Sequence, residues 1–407
     1  MPGSLVGGSS SADPGDAMAA SPSPADLLVD LLVILVAAKA VAEVAERVGV
    51  PAVVGEMVAG VLVGPSVLGL VAPGPVLAVL GELGIVLLLL DVGLQLDVAH
   101  LGPVARPATA MALAGTVLTL VLGWGATEAV VHDGDTALFL AAAVTATSLG
   151  ISARVFADAG RLGTPEARTV LGASVVDDVV GLLTLTVVAR LVTGAGVSLS
   201  AVGGTVALAV GYLVVAGFVG VRLAVPLFRA VERLARSPGT PLALALAFSL
   251  ALAALADAAG LAPLIGAFVA GLALARTDQS ERVRRDLTPL GHVLVPVFFL
   301  RVGVDVDLGA AVRPDALGLA AVLLGAAVAA KVLCAGFAVG SRADRLTLAW
   351  GMVPRGEVGL VFAALGLREG ILDSKRYGAL LVTILVTDLV GPLLLRRRLR
   401  RRPPPGG

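Results

Sequence analysis

The sequence predicts an all-α membrane protein with about thirteen transmembrane helices. Of its 407 residues, 57% are hydrophobic and 15% are charged, and the mean hydropathy is +0.97. A water-soluble domain of this size could not bury so much apolar surface. Apolar runs of the length that crosses a bilayer, about 20 residues, recur from Leu27 to Leu395. The composition therefore excludes a soluble protein.

Glycines, prolines and charged clusters divide this apolar sequence into segments. Residues 1–25 are rich in Gly, Ser, Pro and Ala and carry no Lys or Arg, which predicts a disordered N-terminal tail. Cys334 is the single cysteine, so that neither an intrachain disulfide nor a cysteine zinc site can form. The thirteen predicted segments cover residues 26–46, 51–70, 76–96, 103–131, 135–159, 166–193, 200–224, 239–260, 262–276, 286–306, 315–340, 345–367 and 376–395.

Positive charges separate strongly if the segment ends alternate between the two sides of the membrane. One side receives 21 positive residues, six of them in the terminal stretch RRRLRRR, and the other side receives five. The positive-inside rule then places the C-terminus in the cytoplasm and the N-terminus outside. Residues 396–407 are predicted to form a basic cytoplasmic tail that contacts anionic lipid. Nucleic-acid binding is not expected of a short tail beside a membrane.

Two short stretches recur at one offset, which indicates an internal repeat. At a spacing of 210 residues, VGLQLD (92–97) matches VGVDVD (302–307), and DVVGLL (178–183) matches DLVGPL (388–393). The mates lie seven predicted segments apart. Because seven is odd, the two halves run in opposite directions across the membrane.

We predict a transmembrane domain over residues 26–395 that consists of two inverted repeats, at about 26–193 and 239–395. A linker helix at about 200–224 joins them. Inverted repeats with broken helices are typical of secondary transporters, in which the substrate site lies near the middle of the membrane where the halves meet. A channel or an enzyme gains less from this arrangement.

The same offset pairs TATS (145–148) with RGEV (355–358), midway along the fifth and twelfth predicted segments. Pro354 removes a backbone donor, Gly356 loosens the chain, and hydroxyls in TATS can satisfy free backbone groups. Ordinary kinks are one interpretation. We favour two crossed discontinuous helices, in which charged side chains offset the partial charges of the helix ends. The predicted crossover residues are Thr145, Thr147, Ser148, Arg355 and Glu357.

Three charged residues lie deep in otherwise apolar segments: Asp177 and Asp178 in LGASVVDDVVGLL, and Lys331 in GAAVAAKVLCAGF. An ionisable group inside the membrane is costly and marks an ion pathway or a proton relay. Adjacent residues on a helix point about 100° apart, so one aspartate can face a partner helix while the other faces a cavity. A salt bridge that only joins helices is the alternative, but it would leave the second aspartate unexplained. A carboxylate can hold either a proton or a hard cation, and carboxylate, hydroxyl and carbonyl oxygens suit hard cations.

Four stretches, VTATSLGISARVFADAG, LGASVVDDVVGL, AAKVLCAGF and GMVPRGEVGLVFAALG, occur together in this chain. In combination they resemble the bacterial monovalent cation:proton antiporters of the second cation:proton antiporter family, from about residue 28 to 395. The resemblance implies a six-helix core with the crossed helices, a dimerisation domain, and elevator-like movement of the core. It also implies that Asp178 binds the monovalent cation, that Asp177 pairs with Lys331, and that Thr147 and Glu357 occupy the crossover.

We therefore expect a secondary-active sodium/proton antiporter and no enzyme. Cytoplasmic monovalent cation would exchange for protons by alternating access in the bacterial inner membrane. Na+ and H+ are the expected cargo, with Li+ or K+ as further candidates, and no cofactor is expected. A homodimer surrounded by membrane lipid is the expected assembly, with no nucleic-acid partner.

Other functions stay open at this point. A potassium/proton antiporter with the same site is the nearest alternative, because both ions bind the same oxygens. A sodium-coupled organic-anion symporter is less well supported, since aromatic residues are 3% of the chain and offer few groups to orient an organic molecule. An ion channel would have no need of a proton-binding pair.

Overall fold

The computed structural model describes residues 24–95, 102–192, 199–234, 237, 239–259, 261, 263–311, 314–340 and 343–401. Within these ranges the regular structure is helical and contains no strand. The α-helices are α1 (Pro24–Arg47), α2 (Ala52–Val63), α3 (Pro75–Gln95), α4 (Gly102–Val131), α5 (Gly134–Ala143), α6 (Leu149–Asp158), α7 (Pro165–Val192), α8 (Leu199–Leu234), α9 (Thr240–Ala258), α10 (Pro263–Leu274), α11 (Ser280–Val304), α12 (Leu308–Ala311), α13 (Pro314–Cys334), α14 (Arg345–Gly351), α15 (Glu357–Arg368) and α16 (Ser374–Arg401).

The all-helical prediction is confirmed. Every predicted segment coincides with one α-helix, except the fifth and the twelfth, which each contain two; the eleventh also contains a short 3-10 helix at Ala335–Phe337. Seven helices among the described residues are long and apolar enough to cross a membrane, and several shorter apolar helices accompany them. The total of thirteen spans stays a prediction.

Some predicted boundaries differ from the observed ones. The helix at the predicted linker, α8, continues to Leu234, and α16 continues through Arg401 into the predicted basic tail. This last turn is held by arginine pairs, because Arg396 contacts Glu46 and Arg398 contacts Asp344. Residues 402–407 and nearly all of the predicted N-terminal tail lie outside the described residues; α1 begins at Pro24.

Side-chain caps and prolines fix where several helices begin. Asp133 precedes α5 and accepts hydrogen bonds from the Thr136 amide and hydroxyl, which lower the pKa of this carboxyl. Asp344 precedes α14, and hydrogen bonds from the Arg398 guanidinium hold its pKa well below its usual range. Proline begins α1, α3, α7, α10 and α13, where its missing N–H costs no helical hydrogen bond.

The helices pack in two groups. The panel helices are α1, α2, α3, α8, α9, α10 and α11, and the core helices are α4 to α7 and α13 to α16. Glycine brings panel backbones together, because a methyl group at Gly60 of α2 would overlap the carbonyl oxygen of Leu300 in α11. Such contact between small residues replaces the hydrophobic effect as a packing force within a membrane. The panel is therefore tightly joined internally.

The bundle has two ends, which we call the C-terminal face and the opposite face. At the C-terminal face α1 and α16 end, and Arg396 of α16 lies against Val50 after α1. At the opposite face α16 begins, and Arg376 lies 3.5 Å from Asp133 between α4 and α5. Panel and core helix ends therefore lie side by side at the C-terminal face, and the ends of three core helices meet at the opposite face.

Candidate functional site: two broken helices around a buried ion pair

Two breaks in the core helices touch each other. Residues 144–148 separate α5 from α6, and residues 352–356 separate α14 from α15. The Ser148 amide donates to Pro354 O at 2.8 Å, and the Thr147 hydroxyl lies 3.2 Å from Met352 O. Backbone groups that lack helical partners are thus satisfied by the other break, as membrane depth requires. The two predicted discontinuous segments do meet at their breaks.

The second break depends on a glycine in an unusual conformation. Gly356 has φ +65°, a region that side-chain-bearing residues rarely adopt. A methyl group there would also lie 2.6 Å from the Ser148 hydroxyl oxygen of the first break. The conformation and the close approach both require glycine at this position.

Arg355 lies with its guanidinium on the free carbonyls of the first break. It donates to Thr145 O at 3.2 Å, to Ala146 O at 3.4 Å and to Ala327 O of α13 at 3.1 Å, and it is 1% exposed. The C-terminal end of a helix carries partial negative charge, which a buried cation stabilises. Arg355 therefore places its positive charge at the C-terminal end of α5.

Asp388 of α16 is a site residue that the sequence analysis missed. Its carboxylate accepts from the Arg355 amide at 2.6 Å and from the Gly356 amide at 3.1 Å, and it is fully buried. It thus places negative charge at the positive N-terminal end of α15. The signal was present in the internal repeat, because the 210-residue offset pairs Asp388 with Asp178.

We expect Asp388→Asn to lower the stability of the fold. An amide keeps one acceptor but directs N–H groups at the backbone amides that the carboxylate binds, which costs about 1–3 kcal/mol. Thermal unfolding of the purified protein in detergent measures this effect. The matched control is Asp278→Asn, because Asp278 is 76% exposed and lies far along the chain from both breaks. Equal unfolding temperatures of the two variants would contradict this role of Asp388.

A buried ion pair lies beside the crossing. Lys331 of α13 donates to Asp177 Oδ2 of α7 at 2.8 Å, and both side chains are fully buried. The hydroxyls of Thr116 and Thr147 donate to the same carboxylate at 3.1 Å and 2.8 Å. Asp177 is therefore joined at once to α13, to α4 and to the first break, and its charge is well satisfied.

A glycine on α4 leaves room for the side chain of Lys331. A methyl group at Gly115 of α4 would lie 3.2 Å from Lys331 Nζ and 3.5 Å from Cys334 Sγ. The Cys334 thiol, one turn beyond the lysine, bonds Lys331 O at 3.1 Å. A small residue on α4 thus allows the ammonium group to reach Asp177 across the core.

Asp178 follows on α7 and is 9% exposed. One turn before it, the Ser174 hydroxyl is fully buried and has no hydrogen-bond partner within the described part of the chain. Side chains four residues apart share one face of a helix. Ser174 and Asp178 therefore present two oxygen-bearing groups on the same side of α7.

The remaining predicted crossover residues have local roles. Thr145 donates its hydroxyl to Ala142 O at 2.7 Å and so closes the end of α5. Ser148 caps α6 by accepting from the Ile151 amide at 3.3 Å. Glu357 begins α15, and its side chain lies outside the described residues.

A cavity of about 1060 Å³ lies between the panel and the core. Its polar lining lies near helix ends at the opposite face, where Arg301 is 3.8 Å from Glu82 and 3.6 Å from Asp305. Its inner end reaches Ile85 of α3 and Val358 of α15, two residues beyond the second break. The cavity thus leads from the opposite face toward the crossing.

In the core, two broken helices cross beside a buried Asp–Lys pair, and a cavity leads toward them from one face. This arrangement defines a membrane transporter of small ions. The chain belongs to the sodium/hydrogen exchanger family, because residues 31–401 match the family described as "Sodium/hydrogen exchanger, transmembrane".

Individual relatives agree with this membership. The chain is 34% identical to the "High-affinity Na(+)/H(+) antiporter NhaS3" of Synechocystis, over 91% of this chain and 89% of the relative. It is 29% identical to the "Na(+)/H(+)-K(+) antiporter GerN" of Bacillus cereus, over 91% and 96%. The solved sodium proton antiporter MjNhaP1 of Methanocaldococcus jannaschii shares the fold at a TM-score of 0.70 and 18% identity, over 95% of this chain and all of that one.

Proposed function

We propose that this protein is a secondary-active sodium/proton antiporter in which a monovalent cation and a proton compete for Asp178. The observation that carries the proposal is that the two neighbouring carboxylates on α7 have different surroundings. Asp177 is held by Lys331 and by two threonine hydroxyls. Asp178 points about 100° away around the helix and is the more exposed of the two, at 9% against 1%. We therefore assign Asp177 the structural role and Asp178, the more exposed carboxylate, the binding of the cargo.

The chemistry of the site suits a hard monovalent cation. Asp178 supplies a carboxylate, and the Ser174 hydroxyl on the same helix face supplies a neutral oxygen without a competing partner. We propose Ser174 as a further ligand of the ion. Carboxylate and hydroxyl oxygens bind Na+, Li+ or K+, and the carboxylate can also accept a proton in place of the ion.

Potassium/proton exchange at the same site is the second candidate. The name of the Bacillus cereus relative includes both sodium and potassium, and the same oxygens would bind either ion. We rank sodium first because the family description and the Synechocystis relative name sodium.

The charge distribution indicates the orientation of the protein in the membrane, and the exposed apolar surface indicates what surrounds it. We propose that the C-terminal face, with the arginines of α16, lies in the cytoplasm, and that the opposite face lies outside. Exposed apolar side chains such as Leu32 on α1 and Phe218 on α8 face lipid or a second copy of the chain in a homodimer. No cofactor is part of the proposed cycle.

Purified protein in liposomes tests the proposal. With a pH-sensitive dye inside, addition of Na+ outside should release protons from acid-loaded vesicles, and parallel additions of Li+ and K+ rank the ions. Protein-free liposomes are the control. A proton flux that no monovalent cation stimulates would overturn the proposed function.

A further inference from the structure

The two faces of the bundle differ in how the panel and the core meet. At the opposite face the cavity separates them. Toward the C-terminal face they are joined by side chains with opposite charge. This asymmetry is what one state of an alternating-access transporter shows, because its two faces open in turn.

The first joining pair links α2 of the panel to α6 of the core. Arg154 Nη2 lies 3.8 Å from Glu56 Oε1, with the side chains 14% and 1% exposed. Asp158 fixes the arginine from the same helix at 2.9 Å. The second oxygen of Glu56 is buried without a hydrogen-bond partner among the described residues. A buried carboxylate in this position depends on the arginine of the other group.

The second joining pair links the end of α1 to α16. Arg396 binds Glu46 with both terminal nitrogens, and it donates to Val50 O at 2.6 Å. The two side chains are 17% and 38% exposed. Bidentate contact of this kind is directional as well as charged, so it fixes the position of α16 on the panel.

Between these pairs and the cavity lies a tight apolar contact. Ile85 of α3 lines the cavity, and a methyl group placed on Gly150 of α6 would be 2.6 Å from its Cδ1 atom. Ile85 therefore forms the floor of the cavity against the core. Water that enters from the opposite face meets this contact before it meets the charged pairs.

We propose that the structure is the state open to the opposite face, and that Glu56–Arg154 with Glu46–Arg396 form a seal that must open once in each transport cycle. The inference rests on the proposed antiport. Because both pairs cross from panel to core, relative movement of the two groups cannot expose the C-terminal face while the pairs hold. Removing their charges favours the state with the opposite face closed.

Accessibility of a cysteine in the cavity measures this equilibrium. Cys334→Ala removes the single cysteine of the chain, and Leu83→Cys then places a reporter in the cavity wall. A charged maleimide labels the purified protein in nanodiscs. We expect Glu46→Gln with Glu56→Gln to slow labelling of this reporter by about two- to tenfold, because loss of the two ion pairs shifts the population away from the state in which the cavity is open.

Two controls isolate the seal. Glu43→Gln removes an acid of the same helix whose partner, Arg47, is also on α1, with side chains 63% and 75% exposed, so it should leave labelling unchanged. Val67→Cys, 49% exposed in the loop after α2, should react equally in all backgrounds. Equal labelling of Leu83→Cys in the seal variant and in Glu43→Gln would overturn the proposal.

A cross-link gives a second test if the double variant does not fold. Glu46→Cys with Arg396→Cys, bridged by a reducible bis-maleimide in the Cys334→Ala background, should stop cation-driven proton flux, and a reductant that cleaves the bridge should restore it. Exchange that continues in the cross-linked protein would overturn the seal. Labelling needs no ion transport, so failure of the antiport itself would appear separately, as an absence of cation-driven flux in the unmodified protein.

Discussion

Asp178→Asn is expected to abolish exchange of Na+, Li+ and K+ while the protein stays folded. The amide can neither release a proton nor neutralise a cation, so both halves of the cycle lose their ligand. The fold should survive because the ion pair to the fully buried Lys331 involves Asp177 and stays intact in this variant. Proton flux in liposomes, with each ion added in turn, measures the loss.

The control for this experiment is the same chemical change at an exposed site. Asp278→Asn alters an aspartate that is 76% exposed and 3.9 Å from Arg229, and it should exchange ions as the unmodified protein does. Both variants should elute as folded protein in size-exclusion chromatography. Sodium-stimulated flux that persists in folded Asp178→Asn would remove Asp178 from the proposed site and leave Asp177 as the alternative carboxylate.

The course of the backbone could be predicted largely from the sequence, since the membrane imposes length and polarity on each helix. Apolar runs located the helices, and Pro354 with Gly356 marked the break between α14 and α15. The first break was harder to locate, because TATS contains no strong helix breaker. Only its relation to the second break, 210 residues away, identified it.

Contacts between distant segments could not be predicted in the same way. The depth of Lys331 showed that it needs a carboxylate, but adjacency of Asp177 and Asp178 left the choice to the family resemblance. Asp388 accepts from the Gly356 amide, and Glu56 pairs with Arg154. Both contacts depend on which helix faces pack together. Helical periodicity alone does not supply that information when a helix is apolar on all sides.

Asp177→Asn is expected to destabilise the fold strongly, and more than Asp178→Asn does. It would leave the ammonium group of Lys331, which is fully buried, without its counter-ion at 2.8 Å. Removing one partner of a buried ion pair costs about 3–5 kcal/mol, because the remaining charge stays desolvated. The two threonine hydroxyls would also lose a charged acceptor. The unfolding temperature in detergent should fall clearly below that of Asp178→Asn.

A double variant separates loss of the pair from loss of a single contact. Asp177→Asn with Lys331→Gln removes both charges, so it should recover much of the stability that Asp177→Asn loses. Equal unfolding temperatures of the single and double variants would contradict a counter-ion role for Asp177.

The double variant also tests whether the lysine carries a proton. If Lys331 releases one in each cycle, exchange by the unmodified protein responds to an imposed membrane potential, and any exchange left in the double variant does not.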